Sequence, residues 1–388
     1  MTVAPKSARL LPSANTDTLG IIEGPCSIGT TMLLTIALGV AHAIVDASTV
    51  TAIFRCTHLG QVAPESVYAV VLAYDVVAFG SQVLLGWCTD RFASPRLATL
   101  LGITLTSLSL VACSSNLVAT LVCASLGNAL FHLGAGANVL RGGLERAAPA
   151  GIFVAPGALG LAFGIYYGAQ ANRGPLWPLV LLSLLALGGL LCVRFAPLAP
   201  VTHKPEKAPL HAARSTHLAI ALLLVSIMVR SLVGMSAARG YARSELLLLG
   251  IPGAAFLGKS LGGFIADRLG WVEASVLALL ASMPLIATVP PTLWLLLGLF
   301  LFQMTMPVTL TAVARLLPHR LATAFGWTCL ALIIGALPAM MPFGKPLCER
   351  GLLSLWIMIG TVCVFLGLRL SGVQRRHFGL RTPASEWR

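Results

Sequence analysis

The stretch that decides the fold is LLGWCTDRFASPRLATLLG, Leu84–Gly102, a short charged segment between two long apolar runs. Its charged residues are Asp90, Arg91 and Arg96. A similar string, LGGFIADRLGWVEASVLAL, recurs at Leu261–Leu279 and aligns Asp267 with Asp90. An internal repeat of this kind in an apolar chain predicts a transporter built from two related halves, with a substrate site between them.

The composition predicts an integral membrane protein. The chain has 388 residues, of which 57% are hydrophobic and 10% charged, and its mean hydropathy is +0.89. A soluble domain carries about 25% charged residues. The net charge of +13 is interpreted as a set of topology signals in cytoplasmic loops. No nucleic-acid partner is expected, because basic stripes interleaved with aromatic residues are absent.

The apolar runs predict twelve spanning helices, since a span needs about 20 mostly apolar residues. The predicted spans are 28–53, 66–88, 97–114, 117–140, 150–170, 176–195, 217–238, 243–265, 271–289, 292–314, 320–343 and 351–371. They group into an N-terminal six-helix bundle, 28–195, and a C-terminal six-helix bundle, 217–371. The remaining segments are a tail, 1–27, a basic Pro-rich central loop, 196–216, and a basic tail, 372–388.

The distribution of positive charge predicts the orientation. With the N-terminus inside, 18 of the 26 Lys and Arg residues fall in inside segments, six in outside loops and two within spans. The excess on one side predicts that both termini and the central loop are cytoplasmic. The expected location is the plasma membrane, which is the inner membrane of a bacterium.

The charged loop resembles the signature loop of the major facilitator superfamily, roughly Gly-x-x-x-Asp-Arg-x-Gly-Arg-Arg. In the first loop the matching residues are Gly86, Asp90, Arg91 and Arg96. The departures from the signature are Ala93, Ser94 and Pro95. The second copy supplies Gly263, Asp267, Arg268 and Gly270. The resemblance implies an all-α fold of twelve transmembrane helices in two pseudo-symmetric bundles.

The resemblance also implies that these loops form a cytoplasmic gate. A carboxylate at the end of one helix can face the positive N-terminus of a neighbouring helix. An adjacent Arg can bond a carboxylate or the carbonyls of a helix end. The gate would stabilise the outward-open state. The alternative is that Asp90 and Arg91 serve only as topology anchors.

A second stretch, GIFVAPGALG at Gly151–Gly160, is similar to the antiporter motif of the family's fifth helix. The matching residues are Gly151, Pro156 and Gly160, whereas Ala155 and Leu159 replace glycines. This resemblance implies an exporter that exchanges its substrate for protons. The alternative is close packing of helix five, because small residues let helices approach closely.

Polar residues at membrane depth are the candidates for substrate binding or proton coupling. Each ionisable group there costs at least about 2.5 kcal/mol, so each is a functional hypothesis. The candidates are His42, Asp46, Asp75, Asn128, His132, Arg230 and Gln303. Lys259 is expected to extend to the inner interface instead. By resemblance, the first, fourth, seventh and tenth helices line the central cavity, which leaves Asp75 outside it.

Two of these groups carry the chemistry that a coupled carrier needs. His42 and Asp46 are spaced i,i+4, so they share one helix face and form a candidate proton-carrying pair. Asp75 is the other candidate carrier. A buried Arg230 needs a carboxylate partner or an anionic substrate. Asp46 and Asp75 are the available partners.

The sequence therefore predicts a secondary active transporter of a small solute that works by alternating access, with proton coupling and with export favoured. The alternatives are proton-coupled uptake of a small organic anion, or a sensor or binding protein on the same fold. No enzyme, cofactor or metal site is predicted, since the nine cysteines form no CxxC pair. A monomer is expected. The stretch HAIVD, His42–Asp46, is similar to the fosmidomycin-resistance-like, drug-efflux-like branch.

Overall fold

The structure is a computed structural model. It describes residues 28–57, 62–92, 94–170, 174–192, 210–239, 245–288 and 292–372. Within these ranges every regular element is a helix. The predicted N-terminal tail, most of the predicted central loop and nearly all of the C-terminal tail lie outside the described residues.

The first half of the chain contains seven α-helices that make six spans. They are α1 (Ile28–Cys56), α2 (Val67–Gly80), α3 (Gln82–Arg91), α4 (Pro95–Ala112), α5 (Leu117–Gly143), α6 (Ala148–Ala169) and α7 (Trp177–Cys192). A short 3₁₀ turn, Pro64–Ser66, precedes α2. Helices α2 and α3 form one span, Val67–Arg91, with a break at Ser81.

The second half also contains seven α-helices in six spans. They are α8 (Leu210–Arg239), α9 (Glu245–Leu269), α10 (Trp271–Ala287), α11 (Thr292–Gln303), α12 (Thr305–Leu316), α13 (Leu321–Met340) and α14 (Arg350–Leu370). A 3₁₀ segment, Pro342–Cys348, precedes α14. Helices α11 and α12 form the span Thr292–Leu316, which is interrupted at Met304.

The prediction of twelve spans is confirmed in the described part of the chain. Ten helical segments there are long and apolar enough to cross a membrane, and two shorter apolar helices, Trp177–Leu191 and Trp271–Ala287, complete the set. Helix α8 begins at Leu210, before its apolar part, Ser215–Ala237, which agrees with the predicted span 217–238. Its first two turns are polar, and a division by hydropathy does not detect a helix that extends beyond the apolar layer.

Glycines set the closest helix contact in the first half. A Cβ atom at Gly160 or Gly164 would collide with backbone carbonyls of α1, those of Ala43 and Ala47. Because glycine has no Cβ, α6 lies directly against α1. This contact brings the predicted helix-five motif against the helix that carries His42 and Asp46.

Two further close contacts join the halves. Helix α3 packs on α13, where a Cβ at Gly86 would meet the backbone of Ala322. Helix α6 packs on α9, where a Cβ at Gly151 would lie 2.5 Å from the carbonyl oxygen of Lys259. Both contacts lie toward the end of the bundle that carries Arg91 and Leu269, which we call the signature end. The halves therefore meet through backbone contacts at Gly86, in the first charged loop's motif, and at Gly151, in the helix-five motif.

Candidate functional site

At the signature end, Asp90 bonds to the start of a helix in the other half. Its carboxylate accepts hydrogen bonds from the backbone N–H of Ala322 at 3.1 Å and of Thr323 at 2.8 Å. The Thr323 hydroxyl donates a third bond at 2.7 Å. These N–H groups belong to the first turn of α13, whose own N-cap residue, Arg320, makes no side-chain cap bond. Asp90 therefore caps α13 from across the interface.

Asp267 makes the equivalent contact in the opposite direction. Its carboxylate accepts from the backbone N–H of Ala147 at 2.8 Å and of Ala148 at 3.0 Å, at the start of α6. The indole N–H of Trp271 donates to the same carboxylate at 2.9 Å. Each half thus supplies a carboxylate that caps a helix of the other half. The contacts are those that the sequence analysis described, and the gating role stays a prediction.

The arginines of the two loops lie elsewhere. Arg91 and Arg268 are exposed, and Arg91 borders a cleft at the signature end that also contains His319. Arg96 donates to the carbonyl oxygen of Leu191 at 3.4 Å, a contact within its own half. At the signature end the carboxylates of Asp90 and Asp267 therefore make the hydrogen bonds between the halves given above, while Arg91 and Arg268 are exposed.

A buried cluster surrounds Asp46 inside the first half. The Nε2 atom of His42 lies 3.2 Å from Oδ2 of Asp46, and Nε2 of His132 lies 3.7 Å from Oδ1. The amide Nδ2 of Asn128 donates to Oδ1 at 2.9 Å. His42, Asn128 and His132 are all buried. Helix α1 supplies His42 and Asp46, and α5 supplies Asn128 and His132, so four of the predicted candidates meet in one cluster.

Backbone carbonyls fix the tautomer of both histidines. Nδ1 of His42 lies 2.8 Å from the carbonyl oxygen of Phe153 on α6. Nδ1 of His132 lies 2.8 Å from the carbonyl oxygen of Asn128. A carbonyl oxygen only accepts, so each Nδ1 carries a hydrogen. Both Nε2 atoms are then the free ring nitrogens, and both face the carboxylate of Asp46.

The Nε2 atom of His42 and the carboxylate of Asp46 lie at hydrogen-bond distance. A neutral imidazole with its hydrogen on Nδ1 presents a lone pair at Nε2, which an ionised carboxylate repels. The 3.2 Å contact of His42 with Asp46 is a hydrogen bond when one of the two groups carries an additional proton.

The same three side chains have the donor set of a metal site. One ligand atom from each of His42, Asp46 and His132 lies within 4.8 Å of the others. Lys259 of α9, however, lies within electrostatic range of Asp46 and Arg230. A divalent ion would add two positive charges beside existing cations, whereas a proton adds one.

Aromatic rings enclose the cluster. The ring of Phe153 lies 4.9 Å from that of His42 between centroids, and the ring of Phe325 lies 6.3 Å from that of His132. Phe325 belongs to α13, two residues after Thr323, which binds Asp90. A Cβ at Gly136 would collide with the Phe325 ring. Helix α13 of the second half therefore both covers the cluster and binds Asp90 at the signature end.

Helix α6 contacts the cluster and one gate contact at once. Its Phe153 carbonyl orients His42, and its first residue, Ala148, is capped by Asp267. A Cβ at Gly157 would collide with Nε2 of His42 and would lie 2.7 Å from Oδ2 of Asp46. Gly157 follows the predicted motif residue Pro156, and the sequence analysis did not single it out. Its position in a run of small residues was the only signal.

Among the described residues Arg230 has no ion pair with Asp46 or Asp75, the carboxylates available to it, so the other expected partner, an anionic substrate, stays a prediction. Its Nη1 atom donates to the hydroxyl of Thr309 at 2.9 Å. The guanidinium is buried, with 5% of the residue exposed. The carboxylate of Asp46 already contacts side chains of α1 and α5. Thr309 lies on α12, in the same half as Arg230. Gln303 lies nearby, with Nε2 3.9 Å from the Cβ position of Gly234 on α8.

Asp75 and Lys259 lie outside the cluster of His42, Asp46 and His132. Asp75 is partly buried on α2 and lies outside the cluster, while its neighbour Tyr74 donates to the hydroxyl of Thr49 at 3.1 Å. Lys259 is partly buried and its charge interacts with those of Arg230 and Asp46. Lys259 lies in the middle of the span Leu247–Leu269, and the extension of its side chain to the inner interface stays a prediction.

Comparison with known proteins gives matches to solved structures. No family model matches the chain. No curated protein sequence matches it. The major facilitator superfamily transporter FucP in its outward conformation matches with a TM-score of 0.66 and 13% identity, over 88% of this chain and 99% of FucP. The E. coli fucose:proton symporter FucP matches again in a second structure, with a TM-score of 0.64, 14% identity, and coverage of 88% and 98%.

A human protein shows the same likeness. The organic anion transporter MFSD10 (TETRAN) matches with a TM-score of 0.62 and 16% identity, over 88% of this chain and 100% of MFSD10. At such identities the matches show the fold. The chain has the major facilitator fold of two six-helix bundles, as the resemblance implied, and it is a multi-pass membrane protein.

Proposed function

We propose that the protein is a secondary active transporter that moves a small solute by alternating access and couples this movement to protons. The observation that carries the proposal is the His42–Asp46–His132 cluster, in which two fixed imidazoles face one buried carboxylate. A coupled carrier needs a site that binds and releases a proton inside the membrane, and this cluster has the required groups. The fold is that of known transporters.

The proton affinity of Asp46 depends on the ionisable groups packed around it. These groups are His132 on α5, Tyr74 on α2, Lys259 on α9 and Cys329 on α13. Helices α5 and α2 pack against α13 of the second half, and α9 and α13 belong to that half. A relative movement of the halves therefore changes the surroundings of Asp46, which is how the transport cycle would bind a proton on one side and release it on the other.

The gate contacts would alternate with this movement. In the structure both caps are made, so the signature end is held together by Asp90 on α13 and Asp267 on α6. Loss of both caps would let the halves separate at that end and would withdraw Phe325 from His132. We place this end in the cytoplasm, with both chain termini, in the plasma membrane or bacterial inner membrane, and we expect a monomer.

Two directions of transport have separate support. The helix-five residues Gly151, Pro156 and Gly160 resemble an antiporter motif and favour export against protons. The buried Arg230, without a carboxylate partner among the described residues, favours a solute with an anionic group and fits an uptake carrier for a small organic anion. The sign of the proton movement distinguishes the two directions.

The experiment is a measurement of solute-driven proton flux in proteoliposomes that contain a pH-sensitive dye. A panel of small organic acids and neutral solutes is applied to the wild type and to Asp46→Asn. The expected result is proton flux with at least one solute in the wild type and its loss in Asp46→Asn. Asp75→Asn is the matched control, because it removes a carboxylate of the same depth that lies outside the cluster.

Solute movement without proton flux would refute the coupling. Binding of a solute without any movement would leave the protein as a sensor or binding protein. Loss of flux in Asp75→Asn with retention in Asp46→Asn would place the coupling at Asp75 instead.

A further inference from the structure

Lys259 and Arg230 form a pair of cations without a carboxylate of their own. In the part of the chain that the structure describes, neither has an ion-pair partner, and Arg230 bonds to the neutral hydroxyl of Thr309. Both lie well inside their spans, Ser215–Ala237 and Leu247–Leu269. Unpaired charge at this depth is costly, so an anion supplied from outside the chain would stabilise the pair.

The helix geometry brings the two cations toward the same point. Helix α12, which holds Thr309, packs against both α8 and α9. Long helical side chains lean toward the N-terminus of their own helix. Helix α8 runs away from the signature end and α9 runs toward it. The side chain of Arg230 therefore leans toward the signature end and that of Lys259 leans away from it, so the two approach the same depth in the membrane. Gln303 joins the two helices at this depth: its Cβ lies 3.0 Å from the Cβ position of Gly258, next to Lys259, and its Nε2 lies 3.9 Å from the Cβ position of Gly234, one turn after Arg230.

The protonation of the cluster sets how much positive charge is left uncompensated. When the cluster lacks its additional proton, Asp46 contributes one negative charge near Lys259. The group of Asp46, Lys259 and Arg230 then has a surplus of one positive charge. When the cluster holds the proton, its net charge is zero and the surplus is two. A solute with two negative charges is matched only in the protonated state.

We propose that Lys259 and Arg230 together bind a small organic dianion, and that the dianion binds together with the proton of the His42–Asp46–His132 cluster. This inference rests on the proposed function and adds to it the substrate class and the second cation. Reciprocal linkage requires that each ligand raises the affinity for the other. Joint binding is the requirement of symport, so the inference favours uptake over exchange.

The test measures equilibrium binding to the purified full-length protein with a charge-matched series of probes. Malonate, succinate and glutarate are compared with the monoamide and diamide of each, which have nearly the same shape but one and no negative charge. Titrations are made at about pH 6.5 and about pH 8, at and above the ordinary histidine pKa. The expected order is dianion, then monoanion, with no measurable binding of the diamide.

The variants assign the charges. In Lys259→Gln the affinity for the preferred dianion is expected to fall about thirtyfold, to that of its monoamide, since one partner of a buried charge pair is removed. Lys345→Gln, which removes an exposed lysine, is the control and should bind as the wild type.

Dianion affinity should fall by up to about tenfold per pH unit in the wild type, because one proton is linked to binding. Asp46→Asn should bind tightly at both pH values, because its cluster is permanently neutral.

Three results would overturn the inference. They are equal affinity for dianion and monoamide with every probe, an unchanged dianion preference in Lys259→Gln, and dianion affinity that rises with pH. Each is compatible with Asp46-dependent proton flux in liposomes, so the inference can fail while the proposed function stands. If Asp46→Asn retained proton flux while the protein still preferred the dianion, the proposed proton site would be removed instead.

Discussion

Removal of the Asp90 carboxylate tests whether the helix caps act as a latch between the halves. Asp90→Ala deletes three hydrogen bonds to α13, of 2.7 to 3.1 Å. The loss of an N-cap with its favourable helix-dipole contact costs about 2 kcal/mol. Such a cost shifts the equilibrium between the capped and the open arrangement about thirtyfold.

Amide hydrogen exchange measures this shift directly. The amides of Ala322 and Thr323 should exchange about thirtyfold faster in Asp90→Ala, since opening exposes them to solvent. If the two caps break together, the amides of Ala147 and Ala148, which Asp267 caps, should also exchange faster. Faster exchange at α13 alone would show a local cap and would refute the latch.

The control is a carboxylate at a helix start outside the signature end. Glu349 is the N-cap residue of α14 and makes no side-chain cap bond. Glu349→Ala should therefore leave exchange at α6 and α13 unchanged. Asp267→Ala is the reciprocal experiment and should reproduce the pattern of Asp90→Ala, because the two contacts are related by the repeat.

Three other substitutions test the site. Phe325→Ala removes the ring that covers the cluster and should produce a solute-independent proton leak in liposomes, whereas an unchanged leak rate would show that the ring is not a seal. Gly157→Ala should lower stability by about 1–3 kcal/mol through overpacking, seen as a lower Tm, while Gly189→Ala, with no atom near its Cβ position, should not. Arg230→Ala should raise the apparent Kd for an anionic solute far more than Arg230→Lys, and equal effects on a neutral solute would contradict an anion site.

The repeat and the local spacing made the architecture predictable. Aligned copies of one loop at Asp90 and Asp267 indicated two halves, and the helix-dipole argument anticipated a carboxylate at a helix start. The i,i+4 spacing of His42 and Asp46 correctly indicated a shared face. These features depend on residues close in sequence or on the internal repeat, so a single sequence contains the information.

The partners across the fold were not predictable in the same way. The Phe153 carbonyl that orients His42 and the Thr309 hydroxyl that binds Arg230 come from helices distant in the sequence. No spacing rule relates such positions, because their contact depends on how whole helices pack. The position of Gly157 against His42 and Asp46 is another such contact, since it depends on how α6 packs on α1.

Comparison of solute exchange with net solute transport in Asp46→Asn tests whether the coupled proton binds at the His42–Asp46–His132 cluster. Once a transported solute is known, solute counterflow needs no net proton movement, while proton-driven accumulation does. Asp46→Asn is expected to retain counterflow and to lose accumulation under a pH gradient. Accumulation at the wild-type level in Asp46→Asn would contradict the assignment of the proton to the His42–Asp46–His132 cluster.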